Sequence, residues 1–131
     1  MLLPTTLCLG AGALLINFWL AMRCGKARAA NKISIGDGGN DLLMRRMRAQ
    51  ANFIEQVPLT LILIAAVELA GKGTWWLAPA GGVFLLGRIA HAIGMESDDG
   101  FKPGRPIGMF TGMLLQLALV VTAVLTALGK I

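Results

Sequence analysis

Arg48, Asn52 and Glu55 stand at i, i+4 and i+7, a spacing that puts a cation, an amide and an anion along one stripe of a helix. A guanidinium forms charge-assisted pairs with carboxylates, and a carboxylate can hold an ammonium. The stripe therefore suits a small zwitterion, although the same spacing also fits a structural ion pair between Arg48 and Glu55. Pro58 follows one turn later and removes a backbone donor, which marks a place where a helix bends and a cavity opens. Further along, Arg88 and His91 share a face at i, i+3 with Met95, and Arg105 follows Pro103 and Gly104. Arg88 is expected to meet Glu55 or a ligand, whereas a lone histidine is more often a packing residue than a catalyst. Together these arginines, Glu55, Asn52 and His91 are expected to converge from three helices on one layer. A cavity so lined would take a peptide-like ligand carrying more than one carboxylate.

The elements that must position these residues are membrane helices. Hydrophobic residues make up 56% of the 131-residue chain and charged residues only 15%, against roughly 45–50% apolar in soluble domains. The sequence predicts an all-α, integral membrane four-helix bundle, a single domain over 1–131 with spans at about 2–22, 41–70, 75–95 and 105–128. Each is near the ~20 residues that cross hydrocarbon. The first run is read as a true span and not a signal peptide, because its charges follow the apolar stretch. Residues 23–40, basic and then turn-rich (GDGGN), read as a loop. The second helix is expected to start at Asn40 or Asp41 and stop at Gly71, with Trp75 and Trp76 anchoring the start of the third at an interface.

Seven of the twelve Lys and Arg (Arg23, Lys26, Arg28, Lys32, Arg45, Arg46, Arg48) lie in the loop after the first span or in the first turns of the long second helix, which must project beyond the hydrocarbon, against Lys72 alone in the next loop. The positive-inside rule puts the first and third loops in the cytoplasm and both termini outside. The net charge of +5 is thus a topology signal, and no nucleic-acid motif accompanies it. Cys8 and Cys24 fall about 24 Å apart along one helix, too far for a bridge, and with His91 alone they assemble no metal site. Gly104, Gly108 and Gly112 form a small-xxx-small row suited to close helix packing. Asn17 and Gln116 are expected to make interhelical hydrogen bonds, and Glu68 to lie at the far interface.

The segment RAQANFIEQVP at 48–58, opening the second of four spans, resembles the signature R-x-x-x-N-x-x-E-x-x-P of the membrane-associated proteins in eicosanoid and glutathione metabolism. GRIAHAIG at 87–94 is similar to the third-helix segment of the same family. The resemblance covers essentially the whole chain. It implies a homotrimer binding glutathione between subunits near the cytoplasmic face, with Arg28, Arg48, Asn52, Glu55, Arg88 and His91 as ligands and Arg105 activating the thiol. The chain has no tyrosine, while several members carry one where Gln56 or Met95 stands here, so a Tyr-assisted conjugation is excluded.

The shortness and basicity look like the prokaryotic branch, which implies a bacterial inner membrane protein. The expected function is a membrane glutathione transferase or peroxidase that receives lipophilic electrophiles or hydroperoxides sideways from the bilayer. The alternative within the family is a non-catalytic lipid- or glutathione-binding protein, against which Arg105 argues. A small four-span multidrug exporter resembles the chain in size, but its first helix would need a carboxylate where this one has only Asn17.

Overall fold

The computed structural model describes residues 2–96 and 103–131. Among these the chain forms four helices and no strand: α1 (Pro4–Asn31), α2 (Asp41–Leu69), α3 (Leu77–Glu96) and α4 (Gly104–Ala127). All four are long and apolar enough to cross a membrane. Leu20, Ile64, Leu77, Phe84 and Leu119 fill the interior, while Leu15, Phe18, Ile62, Leu86, Phe110 and Leu117 remain exposed on the outside. A bilayer solvates such an outer surface as water cannot.

The first helix is longer than its apolar run. It continues to Asn31, so Arg23, Lys26 and Arg28, expected in a loop, ride on the last three turns of α1. Nothing in CGKARAA opposes a helix except one glycine, and alanine and long basic side chains favour it. The helix ends at Lys32, whose left-handed φ of 54° lets its amide return to the Arg28 carbonyl. The loop thus shrinks to residues 32–40. The second helix starts where the sequence places it, with Asn40 Oδ1 accepting the Leu43 amide at 2.9 Å, and Gly71 turns the chain at φ 73°. It runs through Pro58 unbroken, and a 250 Å³ cavity lined by Ile54, Pro58 and Asn17 lies beside the missing hydrogen bond.

Two acids fasten the ends. Glu68 receives the amides of Thr5 and Thr6 at 2.8 Å each and the Thr6 hydroxyl at 2.7 Å, so it caps α1, which has no cap of its own at Leu3. It is therefore more than an interfacial charge. At the opposite end Glu96 pairs with Arg23 and with Arg46, whose Nε donates at 3.1 Å. Arg46 also donates to the Arg23 carbonyl at 2.7 Å, and the Arg23 guanidinium stacks 4.7 Å from the Trp19 ring centre. These contacts join α1, α2 and α3 where their basic residues cluster. Residues 97–102, in the third loop, lie outside the described residues.

Candidate functional site

The closest joint in the molecule is between α3 and α4, and glycine makes it. Gly104, Gly108 and Gly112 are all buried, as the small-xxx-small row predicts. A Cβ at Gly108 would stand 2.7 Å from His91 Cβ and would also strike the Gly87 carbonyl; one at Gly87 would stand 2.5 Å from Thr111 Oγ1. This approach lets Arg88 reach across the joint. Arg88 is 4% exposed, donates through Nη2 to the Gly108 carbonyl, and donates through Nη1 to Asn52 Oδ1 at 2.8 Å. It thus binds α2, α3 and α4 together, and its Nε is buried without an acceptor. Of the two partners expected for Arg88, Glu55 or a ligand, Glu55 is not the one met within the chain: Asn52, about 100° around α2 from the core, faces α3, while Glu55 turns a further 60° outward.

His91 is 3% exposed and packs on Gly108 without a hydrogen bond among the described residues, close enough to Arg88 and Arg105 to feel both charges. Arg105, in the first turn of α4, is exposed and makes no hydrogen bond or ion pair among the described residues. Arg48 and Glu55 are exposed on the outer face of α2 and without partners among the described residues, so the structural ion pair between them does not form. Arg28 belongs to a different face: it donates to the Gly36 carbonyl at 2.7 Å and lines a 450 Å³ cavity between α1 and α2 with Cys24, Met47 and Gln50. The candidate residues therefore divide among three surfaces of a single chain.

A second cavity, about 550 Å³, lies between α2 and α4. Asn52, Gln56, Arg88 and Gln116 give it one polar wall, and Pro106, Met109, Phe110 and Met113 an apolar one. Gln116 makes the interhelical bond expected of it, donating to Gln56 Oε1 at 2.9 Å and to Thr60 Oγ1 at 3.1 Å. Asn17 likewise accepts from Gln50 at 3.4 Å. Gln56 entered the sequence reading only as the place of an absent tyrosine; its signal was its position one turn after Asn52 on the same face. Arg23, Arg46 and Glu96 were legible only as charges, because nothing in their spacing joins residues so distant in the chain.

Comparison with known proteins adds identity to this geometry. The inner membrane protein YecN of Escherichia coli K12 is 32% identical over 71 residues, which cover 54% of this chain and 54% of YecN; the protein of the same name from Escherichia coli O6:H1 matches equally. The chain thus spans about half the length of the curated relatives it matches. No solved structure matches it. The profile of the MAPEG family matches residues 6–125, a stretch that begins in the first turn of α1, ends in the last turn of α4 and includes every candidate residue above. The chain belongs to the MAPEG family.

Proposed function

We propose that the chain is a membrane-bound glutathione transferase or peroxidase, which conjugates or reduces lipophilic electrophiles or hydroperoxides with glutathione. One observation carries the reading: Arg48 and Glu55 stand on the outer face of α2 with no partner among the described residues. Glu55 is thirteen residues from Glu68, about 20 Å along the helix, and so lies within the ~30 Å hydrocarbon layer. An ionised carboxylate does not face lipid at that depth; it faces a ligand, a neighbouring subunit or both.

Glutathione carries two carboxylates and one ammonium, and Arg48, Arg105 and Glu55 are charges of matching sign that have no partner among the described residues. Arg28, Asn52, Arg88 and His91 complete the candidate ligand set, Arg88 and His91 from behind the surface. Because these residues divide among three faces, the reading requires a second copy to close the site, and the proposed assembly is a homotrimer. The loop at 32–40 is cytoplasmic, both termini are outside, and the membrane is a bacterial inner membrane. Arg105 holds the thiol as thiolate: a free thiol of pKa near ~8.5 is only a few per cent ionised at pH 7, and a fixed cation raises that fraction.

The test is thermal stabilisation of the detergent-solubilised protein by glutathione, compared with S-alkyl derivatives. At 100 times the dissociation constant a ligand adds about 2.7 kcal/mol. No stabilisation refutes the proposal, and stabilisation without turnover of any electrophile returns the chain to the non-catalytic binders.

A further inference from the structure

Two cavities lie end to end in one groove between α1 and α2. Gly10, Ala13, Asn17, Ala21, Gly25 and Arg28 line it from α1, at steps of three or four residues that keep one face of the helix for five turns, about 27 Å. Met47, Gln50, Pro58 and Leu61 line it from α2, and Ile54 belongs to both cavities, of 450 and 250 Å³, and so joins them. A Cβ at Gly10 or Gly25 would meet nothing within 4 Å, unlike one at Gly81, Gly87 or Gly108. Glycine is a poor helix former, and at these two positions no contact within the chain demands it. What it leaves is room. Leu14 and Ile54, 56% and 54% exposed, open that room to the bilayer.

The groove changes character along its length. Between its ends the floor is apolar apart from Asn17, Gln50 and Cys24, which bond among themselves: Gln50 donates to Asn17 Oδ1 at 3.4 Å and the Cys24 thiol donates to Gln50 Oε1 at 3.7 Å. Arg28 is 24 residues on from Pro4, about 36 Å along α1, which is past the ~30 Å hydrocarbon layer and among the head groups. Its guanidinium donates to the Gly36 carbonyl and to Met47 Sδ at 3.6 Å, and meets no carboxylate among the described residues. The described acids at this end are engaged elsewhere, Asp37 with the Gly39 amide, Asp41 with Arg45, and Glu96 with Arg23 and Arg46. Lys26 and Lys32 stand exposed at the same end. A floor for hydrocarbon that ends in a cation at head-group depth has the profile of one lipid. We infer that the α1–α2 groove holds an anionic phospholipid of the surrounding bilayer, with one acyl chain laid between Gly10 and Gly25 and the phosphodiester on Arg28. Arginine pairs with phosphate through two parallel N–H donors, and basic recesses between membrane helices take anionic head groups. A zwitterionic lipid would bring its ammonium against Lys26 and Lys32. The inference uses this chain's own surface and does not rest on the thiol-transfer reading.

The experiment uses the full-length protein in detergent micelles, mixed with equal amounts of palmitoyl-oleoyl phosphatidylglycerol and phosphatidylcholine and examined by native mass spectrometry. Phosphatidylglycerol is expected to be retained in preference to phosphatidylcholine, and Arg28→Gln to lower that preference about 5-fold, the worth of one basic residue at an anionic surface. Gly25→Phe should abolish retention while the lipid-free protein melts no lower than wild type, because the new side chain enters open space. A second measurement leaves the sequence unaltered: phosphatidylglycerol carrying a diazirine at mid-chain is expected to label residues 10–17 and 53–61 on illumination. Equal retention of the two lipids, retention that survives Gly25→Phe, or labelling confined to other segments overturns the inference. So does a groove that takes no lipid and whose filling in Gly25→Phe breaks the oligomer, since a second copy is then the occupant.

Discussion

Removing Asn52 and removing Arg88 are expected to differ in cost, although the two side chains make one hydrogen bond. Arg88 is 4% exposed and its charge is met by two acceptors, Asn52 Oδ1 at 2.8 Å and the Gly108 carbonyl, with Nε already unsatisfied. Asn52→Leu strands a second nitrogen of a buried cation, and loss of a hydrogen bond to a charged group costs about 1.5–3 kcal/mol. Arg88→Met removes the charge together with its desolvation penalty, fills much of the same volume, and leaves Asn52, which is only half-buried, to water or ligand. Its expected cost is smaller, about 0–2 kcal/mol. The double variant should then be no less stable than Arg88→Met alone, so the cycle gives a coupling of about 1.5–3 kcal/mol. Reversible unfolding in mixed micelles of rising denaturing-detergent content, followed by fluorescence of Trp19, Trp75 and Trp76, measures all four proteins. Additive effects within about 0.5 kcal/mol would refute the bridge and return Arg88 to a freely available ligand.

Gly108→Ala drives a methyl against the Gly87 carbonyl and His91 Cβ and should destabilise by about 1–3 kcal/mol; wild-type melting would mean that the α3–α4 joint is looser than described. Glu55→Gln keeps the shape of an exposed side chain and should weaken glutathione binding by about 1–3 kcal/mol, as measured by calorimetry, with unchanged affinity removing Glu55 from the ligand set. Arg105→Ala should lower turnover by about one to three orders of magnitude and reduce the ultraviolet thiolate absorbance of bound glutathione, while affinity changes much less. Full turnover with an intact thiolate signal would pass the role to Arg88 or His91. A single cysteine introduced at Ser34, in a background lacking Cys8 and Cys24, should resist impermeant maleimide in intact cells; labelling from outside would invert the topology.

What the sequence by itself determined was the set of properties that depend on local composition and spacing. Four apolar stretches of spanning length require helices, since lipid offers backbone groups no other partner. Asn40 and Gly71 bound α2 through interactions within a few residues of themselves, and the Gly104–Gly108–Gly112 row announces a close helix contact at any partner. The family, too, was legible, because Arg48, Asn52, Glu55 and Pro58 keep their spacing within one helix. Tertiary structure decided which face each of these residues serves. Periodicity places Asn52 and Glu55 on one broad stripe, but only the position of α3 separates them, giving Asn52 to Arg88 and leaving Glu55 outside. The continuation of α1 to Asn31 was hidden because hydropathy marks where lipid ends, whereas a helix ends where its hydrogen bonds do. Glu68 and Glu96 read as terminal charges until the fold set them against the first turn of α1 and the arginines of α1 and α2, partners 50 to 73 residues away in the chain. Gln56 offers nothing locally but an amide; the arrival of Gln116 from α4 gives its oxygen a donor and sets the side chain on the wall of a cavity.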